Sequence, residues 1–277
     1  MARNPRELLR KGITELEERI KAMTLRYSRA QARLDALLVE AMLSGKLGEA
    51  VYRRRQRQAA AAVIRSVESA AGEGKGLIRQ AFRLGARAGE RTGSPGTSGY
   101  GQVNKEALEL LINNLQGRLG DAVTTVGRRA DDALRREGLR VAAAQLADEE
   151  SLPDATDTLV RRLTRGGVTA FQDRLGRQWS LETYAEMAIR TTTSEAIAQG
   201  TSAALLSQDF DVIVVNSVPD PCPICKPYDG NTYSLTGRSD HPVLDRLPPF
   251  HPNCRHFILP SVEAVTERRE HRERVAA

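Results

Sequence analysis

Cys222-Pro-Ile-Cys225 and His251-Pro-Asn-Cys254 contain every cysteine of this 277-residue chain, and they decide how its last third folds. The pattern reads C-x2-C-x25-H-x2-C, with His256 two residues beyond. Zinc takes four soft or borderline donors in a tetrahedron, and two short turns joined by a loop supply such a set. The plainer readings are three buried thiols or a Cys222–Cys225 redox pair. The redox reading lacks a strand–CxxC–helix setting, since Cys225 runs into Lys-Pro-Tyr-Asp-Gly, a turn sequence. The expectation is a module stapled by structural zinc on Cys222, Cys225, His251 and Cys254. His251 is preferred to His256 because His-x2-Cys mirrors Cys-x2-Cys.

Working outward, Asp211-Val-Ile-Val-Val-Asn-Ser217 reads as the strongest strand and feeds directly into the first cysteine turn. Val168–Trp179 reads as two short strands around a turn at 173–176. Ser180 is placed to cap a helix running to about Ser207, with Tyr184, Met187, Ala188, Thr191 and Ala196 inward. Phe257-Ile-Leu-Pro260 is strand-like, and Glu263–Arg274 is a charged, helical tail. Asp229-Gly230 is a turn that returns the chain across the cysteine site.

The first half is helical in character. Leu9, Ile13, Leu16, Ile20, Met23, Tyr27, Ala30, Leu34, Leu37 and Ala41 alternate spacings of four and three, a coiled-coil-like seam that Gly45 ends. Helices follow at about 47–71 and 76–91. Leu108, Leu111, Leu115, Leu119, Ala122 and Val126 extend another to about Leu146. Leu152-Pro153 opens a short helix that Gly166-Gly167 ends. Thr92–Gly101 is half Gly or Pro and uncharged, a linker composition. The fold class expected is mainly α with a small α+β C-terminal module. Its parts are a helical arm at 1–91, a linker at 92–101, a helical region at 102–167, the cysteine module at 168–260 and a tail at 261–277. The arm's helices can pair within one chain or between copies.

Composition narrows the setting. Aromatics are 4% of residues, which suits long helices better than a β-rich core. No apolar run approaches the length of a membrane span, no signal-type apolar segment follows Met1, and cysteines at metal spacing fit a reducing cytoplasm. Residues 1–100 carry 20 Lys/Arg against 10 Asp/Glu, a net +10 beside +6 for the whole chain. Arg53, Arg54, Arg55 and Arg57 concentrate that charge and are the candidate anion site, for a polyanion or an acidic protein surface; a solvated helix face is the plainer reading.

Read in order, Gly176-Arg-Gln-Trp-Ser-Leu-Glu-Thr-Tyr184, Arg190-Thr-Thr-Thr-Ser-Glu-Ala196, Gly200, Val212-Ile-Val-Val215, Cys222-Pro-Ile-Cys225-Lys-Pro-Tyr-Asp-Gly230, Tyr233-Ser234 and His251-Pro-Asn-Cys-Arg-His256 closely resemble the tailed-phage minor capsid protein 2 family. The resemblance covers about 168–260. It implies a virion component of head morphogenesis, present in few copies. Such a component associates with the portal vertex or inner capsid, and in some relatives contacts packaged double-stranded DNA. It would sit in the phage head, and in the host cytoplasm during assembly. No enzymatic activity carries over. The alternative is a zinc-containing nucleic-acid-binding or nuclease-like protein delivered with phage DNA, because Asp240-His241, Asn253 and His256 loosely suit a His-Asn-His nuclease. That spacing is poor, and Asn253 lies inside the second half-motif. Ser180, Thr191–Thr193 and Ser194 have no histidine placed to activate them and read as capping and packing hydroxyls.

Overall fold

The structure, a computed structural model, describes residues 4–44, 46, 49–90, 102–147, 171–172, 177–262 and 266. Among the described residues five helices dominate: α1 (Pro5–Leu43), α2 (Ala50–Ala71), α3 (Gly74–Glu90), α4 (Gln102–Ala147) and α5 (Leu181–Ser207). The strands are short: β1 (Phe171–Gln172), β2 (Gln178–Trp179), β3 (Val212–Val215), β4 (Thr232–Ser234) and β5 (Ile258–Pro260). The chain is therefore mainly helical with a small antiparallel sheet. Gly45, the 92–101 linker, the 152–166 helix, the 173–176 turn and most of the charged tail lie outside the described residues.

The seam read from the sequence is the buried face of one continuous helix. Leu9, Leu16, Ile20, Met23, Tyr27, Ala30, Leu34, Leu37 and Ala41 are all buried, with Ile13 half-buried. These exposures are those of a single chain, so the chain's own residues cover the seam. Leu111, Leu115, Leu119, Ala122 and Val126 are likewise buried along α4. No helix among the described residues is long and apolar enough to cross a membrane.

Contacts divide the chain into two compact units, with three of the four borders inside helices and one between α2 and α3. The first comprises residues 1–20, 73–115 and 187–277. In it α3 and α5 approach closely enough for backbone to meet backbone. A Cβ on Gly85 would lie 2.0 Å from the carbonyl oxygen of Ile197, and one on Gly200 would lie 2.1 Å from that of Phe82. Only glycine permits such an approach. Arg190 of α5 pairs with Glu17 of α1 at 3.2 Å, and the Gln208 amide donates to the Gly89 carbonyl at 3.1 Å.

The sheet of this unit has the order β4-β3-β5, antiparallel throughout. Ile213 pairs with Tyr233 and Pro260, and Val215 with Ile258. Period-two alternation turns Ile213 and Val215 inward. They join Leu205, Phe210, Leu244, Phe250 and Ile258 in a small core that also contains Cys225 and Cys254.

The second unit comprises residues 21–72 and 116–186. Gly127 of α4 faces Ile64 of α2, where an added Cβ would come within 3.1 Å of its side chain. Arg57 of α2 grips both carboxylate oxygens of Asp131 on α4. Strands β1 and β2 pair antiparallel, Phe171 opposite Trp179, as the sequence suggested. Trp179 meets Tyr184 edge to face with centroids 5.9 Å apart.

Helix α5 starts as expected and buries a different face. The Thr183 N–H donates to Ser180 Oγ at 3.0 Å, the N-cap bond. The Leu181 N–H is taken by Gln31 Oε1 at 2.9 Å. Ala188 and Ala196 are buried, whereas Tyr184, Met187 and Thr191 are only half-buried. Small and β-branched residues hold the interior instead: Ala185, Ile189, Thr192, Thr193, Ile197 and Thr201. The buried hydroxyls of Thr193 and Thr201 donate back to the carbonyls of Ile189 and Ile197, four residues earlier, so they need no outside partner.

Candidate metal centre

Each half-motif folds as a turn closed on its own first donor. The Cys225 N–H donates to the Cys222 carbonyl at 2.9 Å, and the Cys254 N–H to the His251 carbonyl at 3.1 Å. Asn253 supplies the second turn's left-handed residue, φ 62°, and its N–H reaches Thr191 Oγ1 at 3.4 Å. The loop between the halves is shaped by Gly230, whose φ of 73° suits the Asp-Gly turn. Strand β3 leads into the first turn, and β5 follows the second. Their pairing brings residues about 30 positions apart to one place.

Five donors gather there. Cys222 Sγ lies 3.3 Å from His251 Nε2, Cys225 Sγ 3.7 Å from Cys254 Sγ, and Cys254 Sγ 3.5 Å from His256 Nδ1. They form two triads, Cys222–Cys225–His251 and Cys225–Cys254–His256, with the ligand atoms of each mutually within 4.8 Å. Cys225 belongs to both. The second triad is fully buried, the first only in part. The structure thus brings together all four residues expected from the spacing and adds His256. This Cys/His group could hold a metal ion. The donor chemistry fits zinc, for bonds of about 2.3 Å to sulfur and about 2.0–2.1 Å to nitrogen give tetrahedral edges of about 3.5–3.8 Å.

The electrostatics fit a site that needs a cation. Burial pushes the Cys225 thiol up to about 12, and the adjoining Cys254 and Cys222 sulfurs add to the shift. All three cysteines are free. Thiolates packed this closely are stable only when a positive ion offsets their repulsion. Cys222 is shifted the other way, chiefly by the Cys225 backbone N–H.

His256 is held from behind. Its Nε2 lies 2.8 Å from Asp229 Oδ1. Asp229 also accepts from the Val218 N–H at 2.9 Å and from Ser217 Oγ at 2.8 Å. His256 first, then those two donors, hold the Asp229 carboxyl below its usual range. Phe250 walls the imidazole at 5.9 Å and itself stacks on Tyr228 at 4.0 Å. His256 thus lies between Cys254 and Asp229, and His241 is exposed on the surface. The sequence reading saw Asp229 only as a turn residue, because its partner is 27 positions away.

The candidate anion site is partly spent on structure. Arg57 is bound to Asp131, and Arg53 is half-buried, while Arg54 and Arg55 are exposed. Arg57 also lines an open groove with Arg65 and Arg128, but Glu68, Asp131 and Asp132 line it too, so its charge is balanced.

A model of the family described as phage minor capsid protein 2 matches residues 54–277. A curated relative, the "Structural protein" of Lactococcus phage LL-H, is 24% identical over 151 residues, covering 50% of this chain and 40% of that protein. The chain thus spans less than half of that relative's length. No solved structure matches. With four-fifths of its length matched and the cysteine–histidine module inside the match, the chain belongs to the phage minor capsid protein 2 family.

Proposed function

We propose that this phage structural protein is a head component that docks on portal or capsid proteins, its C-terminal module stapled by zinc. Membership of a minor capsid family carries the reading. Its neighbour in sequence is likewise named a structural protein. Burial of Cys225, Cys254 and His256 favours a closed structural site, because a catalytic zinc keeps an open position for water or substrate. The protein works in the virion and assembles in the host cytoplasm.

The test is co-expression with the portal and major capsid proteins of the same phage. Purified heads should contain the chain in few copies, and isolated portal rings should retain it. Heads and rings that both lack it would remove the docking role. Double-stranded DNA contact is a second reading, favoured by the exposed Arg54 and Arg55. If DNA is the partner, binding should weaken with salt, and Arg54→Gln with Arg55→Gln should lower the log–log slope by about one unit each. An unchanged slope would make these arginines a solvated helix face.

A further inference from the structure

Five donors form two triads that share Cys225 while zinc takes four, and the surroundings of the two histidines separate them. We infer that His256, through Nδ1, is the fourth ligand beside Cys222, Cys225 and Cys254, that Asp229 orients it, and that His251 stays outside the coordination sphere. The inference rests on the reading that the module binds zinc.

Distances favour His256. The Cys225–Cys254 separation of 3.7 Å and the Cys254–His256 separation of 3.5 Å match the sulfur–sulfur and sulfur–nitrogen edges of a zinc tetrahedron, about 3.8 and about 3.5 Å. Cys222 is grouped with Cys225 and His251 rather than with Cys254 and His256, so its exposed-side sulfur has to turn inward to complete the set. The Cys222–His251 separation of 3.3 Å is tighter than such an edge and suits a sulfur–imidazole hydrogen bond.

The outer partners differ as well. Donation from Nε2–H to Asp229 leaves the Nδ1 lone pair of His256 directed at Cys254, and the carboxylate makes the imidazole a stronger donor. Asp229 is fixed in turn by the Val218 N–H and the Ser217 hydroxyl. This is the carboxylate–histidine–metal relay found behind many metal-binding imidazoles. His251 is half-exposed, and the outer partner of its Nδ1 is the carbonyl of the next residue, Pro252, at 2.7 Å, an uncharged acceptor compared with the carboxylate that holds His256. It sits at the rim, where it hydrogen-bonds the outermost sulfur.

The experiment compares the intact 277-residue chain with four variants. Each is reconstituted with zinc, analysed for metal content, titrated against a chromophoric chelator and examined as its cobalt(II) form. The wild type should hold one equivalent with a tetrahedral cobalt spectrum. His251→Ala should keep both. His256→Asn, which fills the space without a comparable ligand, should lose the tetrahedral spectrum, and His256→Cys should restore it with added thiolate character. Rescue by cysteine separates ligation from packing, since cysteine cannot reproduce the bond to Asp229. Asp229→Asn should weaken binding by about 10–100-fold at unchanged stoichiometry. Metal lost from His251→Ala but kept by His256→Asn would overturn the assignment, as would metal kept by all variants at wild-type affinity. A wild type that takes up no zinc would show instead that the underlying zinc reading is wrong.

Discussion

Asp211 shows how a single carboxylate holds the loop that follows β4. Burial opposes its ionisation, but hydrogen bonds from Ser234 and Thr236 outweigh that cost and bring it down to about 2. The Thr236 hydroxyl and N–H reach Oδ1 at 2.6 and 2.8 Å, while Ser234 holds Oδ2. A carboxylate whose folded pKa is depressed stabilises the protein above its unfolded value, near 4, and that contribution fades as pH falls toward about 2. Thermal melts across that window should show a falling acid limb that Asp211→Asn flattens, with a loss of about 1–3 kcal/mol at neutral pH. An unshifted limb in the variant would assign the acid sensitivity to other carboxylates. At this scale the sequence exposed only local chemistry. The two Cys/His half-motifs were legible because each is a four-residue turn whose side chains face one way. The Asp211 and Asp229 networks were not, because Ser234, Thr236 and His256 reach them only after β3 has paired with β4 and β5.

Helix α3 carries Gly85 and Gly89 four positions apart, on the face that meets α5, while Gly200 presents the reciprocal notch. Each of Gly85 and Gly200 faces a backbone carbonyl, which cannot swing aside as a side-chain terminus could. Gly85→Ala and Gly200→Ala should each exceed the usual overpacking cost of about 1–3 kcal/mol, read as a lowered midpoint in denaturant melts. Gly117 and Gly120 on α4 have nothing within 4 Å of an added Cβ. There the same substitution should stabilise by up to about 1 kcal/mol, through helix propensity and reduced unfolded-state entropy. Equal effects at both pairs of sites would mean that α3 and α5 are not in contact. The glycine spacing on α3 was visible in the sequence, yet a search for large apolar residues passes over it. The same habit misplaced the face of α5, where Tyr184 and Met187 drew attention from the alanines and threonines that are buried. Where large residues do form the stripe, in α1 and α4, periodicity alone identified the buried side.

Over the whole chain, long helices were readable because their apolar repeats persist for many turns, but compactness was not, since it depends on which distant segments meet. A linear reading separates residues 1–91 from the cysteine module by the 92–101 stretch. The first compact unit joins residues 1–20 and 73–115 with 187–277. Within it α3, on the near side of 92–101, packs backbone to backbone on α5, and Gln208 hydrogen-bonds Gly89. Gly, Ser and Pro content at 92–101 favours protease attack, so limited proteolysis there is the discriminating measurement. One cut should give two bands on a denaturing gel that elute together as one species in native gel filtration. Dissociation should follow only in denaturant, because the α3–α5 contact has to be broken first. The Gly200→Ala variant, cut in the same way, should separate under milder conditions than the wild type. Fragments of the wild-type protein that part as soon as the chain is cut would show that residues 1–91 form an independent arm.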